Sequence, residues 1–270
     1  MKIKILPLLF LSMIVLSCDK TSDPVSSERE IFITKFDVEG FHKTYLPNFT
    51  LVRKRGRWRE GREFLYEETG NEDNNFLIRV GIHSSKTKAQ EIAEEFNSWC
   101  MIFPQEDTTG TLGIGERSWW MPDVVSPDTI GYIFIRSNLF ILTDSHTYQD
   151  LLDLTRAIDA DIINDAEYIE KSESLELPQI LSVTTTKSIL HEGESAQITV
   201  TASDPNNEPL EYVFDAGLFR GDNPENVFTM IASRNYVSEP FIGSHIYKFI
   251  VYNESNVISE EAELEIMISE

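Results

Sequence analysis

The residues best suited to chemistry form a basic segment at positions 53–62. Six positive charges fall within these ten residues: Arg53, Lys54, Arg55, Arg57, Arg59 and Arg62. Guanidinium groups bind anionic groups strongly, and Trp58 within the segment adds a stacking or cation–π surface if its ring is exposed. The segment is therefore a candidate contact for lipopolysaccharide, an anionic glycan or an acidic partner surface. The competing interpretation is a set of cross-strand ion pairs with Glu60, Glu63, Glu67 and Glu68.

A second cluster, Trp119-Trp120-Met121-Pro122, is dense in aromatic and apolar side chains. These side chains either fill a core or form an exposed platform for sugar rings or a protein ligand. The candidate ligand-contact residues are therefore Arg53, Lys54, Arg55, Arg57, Trp58, Arg59, Trp119 and Trp120.

The motifs of common catalytic centres are missing from the sequence. The five histidines include no pair at i+3 or i+4, and HExxH, CxxC and GxSxG do not occur. We therefore predict no catalytic residue, no zinc site and no cofactor. The many carboxylates keep a hydrolase open as the alternative function.

The N-terminus has the order of a secretory leader. Lys2 and Lys4 precede an apolar run of about 12 residues, too short to span about 30 Å of hydrocarbon at about 1.5 Å per residue. The run ends in Val15-Leu16-Ser17-Cys18, which resembles the lipobox of bacterial lipoproteins. The resemblance implies cleavage before Cys18, lipidation of its thiol and anchoring by acyl chains such as palmitate. We expect a signal peptide at 1–17, and the lipidated Cys with a flexible tether at 18–30.

The composition is that of a globular protein with a strongly acidic surface. The chain has 270 residues, of which 41% are hydrophobic and 25% charged, and its formal net charge is −22. Such a field repels nucleic acid, so we expect no nucleic-acid partner. The expected location is an exported bacterial lipoprotein on the cell membrane or outer membrane, on its periplasmic or surface face.

Residues 31–164 combine extended segments with two helical patterns. Apolar residues recur at helical spacing from about Lys86 to Cys100 and from about Tyr148 to Ile163. Each pattern follows two extended runs, and Ser137-Asn138 is typical of a tight hairpin. We predict an α+β fold: an N-terminal α/β sandwich domain with an internal duplication, built of an antiparallel sheet with two helices on one face.

Part of this domain resembles an uncharacterised secreted prokaryotic domain. The resemblance is carried by Gly115-Glu116-Arg117-Ser118, by the strands on either side of Ser137-Asn138, and by Arg156-Ala157-Ile158-Asp159. It implies a fold similar to the PsbP/Mog1-like sandwiches, with no activity attached.

After a charged linker at 165–176, the apolar period changes from that of a helix to that of a strand. Ala196, Ile198 and Val200 alternate with polar residues, and turn signals recur between such runs. This alternation predicts an all-β Ig-like sandwich over 177–270.

The run from Ala202 to Tyr212 resembles the bacterial cadherin-like and PKD-type modules, which implies adhesion, spacing or display at the cell surface. Calcium sites in such modules use loop carboxylates. Here Asp204, Asn206 and Glu208 offer oxygens to calcium, or Asp204 stabilises an Asx turn instead.

These features favour a membrane-anchored surface or periplasmic lipoprotein that acts as a non-enzymatic binding, adhesion or envelope accessory module for a glycan or protein ligand. The alternative is a hydrolase or an enzyme inhibitor sited in residues 31–164. A concave pocket with titratable groups would favour the alternative, whereas a flat or convex apolar patch rimmed by charge would favour the binding module.

Overall fold

We describe the protein from a computed structural model. The described residues are 31–57, 59–99, 104–122, 129–145, 150–165, 167–170, 175–215, 220–223, 226–233 and 241–270. The predicted signal peptide, Cys18 and the tether lie outside them, as do Trp58 and Cys100. Within the described residues, no helix has both the length and the apolar character needed to cross a membrane.

The N-terminal domain is formed by the elements up to Glu170. Its described elements are β1 (Ile31–Lys35), α1 (Val38–Tyr45), β2 (Phe49–Arg57), β3 (Gly61–Glu68), β4 (Asn71–Ile82), α2 (Lys86–Trp99), β5 (Gln105–Glu106), β6 (Arg117–Pro122), β7 (Thr129–Arg136), β8 (Leu139–Asp144), α3 (Leu151–Asp165) and β9 (Glu167–Glu170). Seven strands form an antiparallel sheet in the order β2-β3-β4-β8-β7-β6-β5. β9 falls within the segment that we predict as a linker, and it pairs with β1 in a separate two-stranded sheet.

Helices cover both faces of the seven-stranded sheet. On one face, Ile92 and Phe96 of α2 pack in one cluster with Ile133 of β7. On the other face, Ile158 of α3 packs in a cluster with Phe134, the next residue of the same strand, and α1 joins this cluster. Because neighbouring residues of a strand point to opposite faces, α2 and α3 lie on opposite sides of the sheet.

The predicted α+β sandwich with two helices on one face and an internal duplication is therefore wrong. Among the described residues, strands make up about half and helices 18%, in several sheets and with three helices. The meanders β2–β4 and β6–β8 meet through β4 and β8, but the helices that follow them cover different faces. The eight-residue α1, which has two buried residues, Val38 and Phe41, has too few apolar positions to stand out as a periodic pattern.

The C-terminal domain is a two-sheet sandwich. Its described strands are β10 (Gln179–Thr185), β11 (Ile189–His191), β12 (Ser195–Ser203), β13 (Glu211–Asp215), β14 (Arg220–Asn223), β15 (Val227–Ile231), β16 (Gly243–Tyr252) and β17 (Ala262–Ser269). One sheet has the order β10-β12-β15 and the other β11-β17-β16-β13-β14. All pairs are antiparallel except β11 with β17. The inner faces enclose one apolar cluster that includes Ile198, Phe228 and Phe249. The predicted Ig-like sandwich is thus confirmed at the level of fold.

The two domains are joined by an interdomain seam, formed by Gly56, Arg62 and Ile82 on one side and Glu211 and the 253–261 loop on the other. The backbone of Ile82 exchanges hydrogen bonds with Asn256 and Ile258, both at 3.0 Å. A side chain on Gly56 would place its Cβ 2.5 Å from Val213 Cγ2, so only glycine admits this approach.

Candidate functional site

An arginine cluster lies on the α2 face of the large sheet. Glu63 of β3 is fully buried, and three arginines donate to its carboxylate. Arg53 Nη2 and Arg55 Nε reach Oε1 at 3.0 and 2.9 Å. Arg79 approaches Oε2 at 3.1 Å through Nε and through Nη2. Since three cations share one carboxylate, this cluster has a local positive charge in a chain of net charge −22.

Strand pairing explains why these four residues meet. Arg55, Glu63 and Arg79 lie opposite one another on β2, β3 and β4. Arg53 reaches the same carboxylate from the same strand as Arg55, two residues earlier. The guanidinium of Arg79 also lies over the ring of Phe96 from α2, 5.9 Å from its centroid. The sheet and the helix therefore fix Arg79 and Glu63 in place.

Arg53 and Arg55 differ from Arg79 in their exposure. Their side chains are 42% and 30% exposed, against 16% for Arg79. Each hydrogen bond described for Arg53 and Arg55 uses one nitrogen, and a guanidinium has five N–H donors. Arg53 and Arg55 therefore present oriented donors at the surface, held by a carboxylate that water does not reach. Such an arrangement can bind a carboxylate, sulfate or phosphate group through charge-assisted hydrogen bonds.

The other members of the basic segment lie elsewhere. Lys54 points to the opposite face, 3.7 Å from Glu39 and 5.5 Å from the centroid of the Phe64 ring. Arg57 ends β2, and Trp58 lies outside the described residues.

Arg59 and Arg62 connect elements that are distant in the chain. Arg59 pairs with Glu95 of α2 and, at 2.5 Å, with Glu261 of the C-terminal domain. Burial opposes ionisation of Glu261, but its hydrogen bonds and charge interactions with Arg59 and Lys248 outweigh this and lower the pKa of its carboxyl.

Arg62 is nearly buried and donates to Glu211 at 2.9 Å and to Asn256 at 3.1 Å. Both arginines thus stabilise the contact between the domains.

The tryptophan pair is divided between the two faces of β6. Trp119 is buried in the cluster under α2, and the Arg117 guanidinium lies 4.8 Å from its ring centroid. Trp120 is half-buried against the core on the other face. The structure does not bring Trp119 or Trp120 together with Arg53 and Arg55.

The loop carrying the calcium candidates is held by local hydrogen bonds. Asp204 Oδ1 accepts from the backbone of Asn206 at 2.9 Å and of Glu208 at 3.0 Å, as in an Asx turn. Asp204 Oδ2 accepts from Asn253, and both oxygens of Glu208 accept from Ser255. A calcium ion would have to displace these donors. Within the described residues, no three His, Cys, Asp or Glu are grouped as metal ligands.

A cleft of about 600 Å³ lies beside the segment that leads into the C-terminal domain. It is lined by residues 175–180 and by Pro205, Glu260, Glu261 and Ala262. Glu261 is already paired with Arg59 and Lys248, so it is not free to act as a general acid or base.

Sequence reasoning found Arg53, Arg55 and their partner Glu63 but missed Arg79. The available signal was its position: Arg79 is the single charged residue in the run Phe76–Ile82 of β4. It is flanked by the fully buried Ile78 and Val80. A cation at such a position faces away from those neighbours and needs a carboxylate on the adjacent strand.

No protein-family model matches the chain, and no curated protein matches it. The chain is similar to the PKD domain of an M14-like peptidase from a Thermoplasmatales archaeon, at 17% identity and TM-score 0.28, over 35% of this chain and 94% of that one. It is similar to the PKD1 domain of Epp from Vibrio anguillarum, at 11% identity and TM-score 0.26, over 35% and 98%. It is also similar to fibronectin(III)-like modules of CbhA from Clostridium thermocellum, at 20% identity and TM-score 0.25, over 33% and 94%.

Proposed function

We propose that this protein is an exported, lipid-anchored, non-enzymatic binding module that holds an anionic ligand at Arg53 and Arg55. The observation that carries the proposal is the buried Glu63, which orients two partly exposed arginines. The ligand class is a polymer or surface that carries carboxylate, sulfate or phosphate groups, such as an anionic glycan. The rest of this acidic chain repels such a ligand, so binding is confined to the arginine cluster.

The test is elution from a sulfated-polysaccharide column in a salt gradient. We expect the wild-type protein to be retained, and R53Q/R55Q to bind at least about tenfold more weakly because it loses charge-assisted hydrogen bonds of about 1.5–3 kcal/mol each. K43Q/K54Q is the matched control, since it removes the same charge from outside the cluster. Retention of the wild type should fall with salt, because exposed charges are screened beyond about 8 Å at physiological ionic strength.

Equal elution of folded R53Q/R55Q and wild type would remove these arginines as a ligand site. Equal weakening by K43Q/K54Q would show that net charge, rather than the cluster, governs retention.

The lipid anchor is part of the same proposal and rests on the order Val15-Leu16-Ser17-Cys18. We expect C18A to abolish labelling by a radioactive or clickable fatty acid, to abolish partitioning into detergent and to leave an uncut precursor. Wild-type protein that is cleaved elsewhere and released in soluble form would contradict the anchor while leaving the arginine site intact.

A further inference from the structure

The three-stranded sheet of the C-terminal domain has a face without charge. β10, β12 and β15 contain no Asp, Glu, Lys, Arg or His at any position. The centre of their outward face is formed by Ser182, Thr184, Gln197, Thr199, Thr201 and Thr229. The opposite sheet differs, because β17 directs Glu263 and Glu265 outward.

Exposed aliphatic side chains border this charge-free face. Leu181 is 61% exposed on the edge strand β10, and Val227 and Ile231 are exposed on the edge strand β15. The other sheet supplies Glu211 and Val213 of β13 to the interdomain seam. The charge-free face thus belongs to the sheet away from that seam.

The size of the face limits what it can bind. Three strands about 4.8 Å apart, the longest of nine residues at about 3.4 Å each, give a strip of roughly 15 by 30 Å, or about 450 Å². A stable protein–protein interface buries about 800 Å² on each partner. A second copy of this chain would also bring another net charge of −22 against the first. The area disfavours a protein partner, and the charge disfavours a second copy of this chain. A narrow, uncharged ligand meets both limits.

The side chains specify the chemistry of that ligand. Ser and Thr hydroxyls and the Gln amide both donate and accept hydrogen bonds, as sugar hydroxyls do. The aliphatic border can pack against the C–H faces of sugar rings, and no charge has to be desolvated on either side. We infer that this face binds an uncharged polysaccharide chain lying along the strands. The inference goes beyond the anionic site at Arg53 and Arg55 and does not depend on it.

The test is co-sedimentation of the full chain with three insoluble neutral polysaccharides: microcrystalline cellulose, chitin and a β-1,3-glucan. We expect the wild type to bind at least one of them equally at low and high salt, because no charge takes part. T199E/T229E should bind at least about tenfold less, and T199A/T229A, which removes hydroxyls without adding charge, about threefold less. I246E/M267E is the matched control, since it adds two carboxylates at exposed positions of the other sheet. Circular dichroism verifies the fold of each variant.

Failure of the wild type to bind any of the three polysaccharides would overturn the inference, as would binding that T199A/T229A and T199E/T229E leave unchanged. A wild-type dimer that dissociates in T199E/T229E would assign the face to self-association instead. R53Q/R55Q and added salt should both leave polysaccharide binding by the charge-free face unchanged. A failure of this inference can therefore be distinguished from a failure of the proposed anionic site at Arg53 and Arg55.

Discussion

Replacing Glu63 by Gln tests the physical basis of the arginine cluster. The substitution keeps the size of the side chain and removes its charge. It also turns an acceptor-only carboxylate into an amide whose NH₂ group faces guanidinium donors. Because Glu63 is fully buried, water cannot replace the lost acceptor at that position.

The magnitude follows from the three hydrogen bonds that Glu63 accepts and from the exposure of the three arginines. Removing one partner of a buried ion network costs about 3–5 kcal/mol of unfolding free energy. Arg53 and Arg55 are 42% and 30% exposed and can be solvated again, whereas Arg79, at 16%, cannot be to the same degree. We therefore expect a loss near the lower limit, about 3 kcal/mol, or a fall in Tm of roughly 6–12 °C for a protein of this size.

The assay is urea unfolding followed by far-UV circular dichroism at neutral pH. E67Q is the matched control, since Glu67 is a partly exposed glutamate on the same strand and should change stability by about 0.5 kcal/mol or less. If E63Q lies within about 1 kcal/mol of the wild type, the cluster does not depend on the buried charge. The orientation of Arg53 and Arg55 would then need another explanation.

Three further predictions concern the rest of the molecule. G56A should lower the free energy of unfolding by about 1–3 kcal/mol in the same assay, because the new Cβ would lie 2.5 Å from Val213 Cγ2 and 3.0 Å from Glu211 Oε1. An unchanged free energy of unfolding would mean that the seam opens freely. Burial and the charge of Lys88 lower the pKa of His83 from 6.5 to about 3, so the unfolded chain takes up a proton below pH 6.5 that the folded chain does not. The wild type should therefore lose about 1.6 kcal/mol of unfolding free energy between pH 6.5 and pH 5 that H83Q does not lose, measured from their urea midpoints. An equal dependence of stability on pH in both proteins would contradict a neutral buried imidazole. Residues 177–270 alone should give a β-type far-UV spectrum and one cooperative thermal transition. This fragment should also bind a hydrophobic dye, because removal of the N-terminal domain uncovers Val213, Ile250 and Ile258. An unfolded fragment would mean that the seam is required for folding.

The sandwich fold of the C-terminal domain could be predicted well because several of its strands have one solvent-exposed face. Along β12, Ala196, Ile198 and Val200 are buried while the residues between them are not fully buried. The alternation of apolar and polar residues in the sequence shows this difference directly. The N-terminal sheet has no such contrast at its centre, since the first five residues of β8 are all buried. A continuous apolar run indicates that both faces are covered. The apolar run of β8 therefore indicates helices on both faces of the sheet. Our prediction of helices on one face did not take this into account.

Helix positions were easier to predict than the faces they cover. The pattern from Lys86 to Cys100 corresponds to α2 at Lys86–Trp99, because an apolar stripe is a local feature of the sequence. The side chain that caps the helix is Ser85, which accepts from Lys88 N at 3.1 Å and which we did not identify from the sequence. The face that a helix covers depends on the path of the chain after the last strand. That path is a tertiary property, and periodicity carries no information about it.

The basic segment shows why neither of its two interpretations was sufficient alone. Strand alternation places Arg55 on the α2 face with Glu63, and it places Arg62 on the other face, opposite Val80 and against Glu211. The two domains are both acidic, so their contact needs cations, and Arg59 and Arg62 supply them at the seam. Arg53 and Arg55 take no described part in the seam and remain partly exposed. Arg59 and Arg62 are therefore paired across the seam, whereas Arg53 and Arg55 are paired with Glu63 within the sheet. Only for Arg53 and Arg55 do we propose a ligand contact as well.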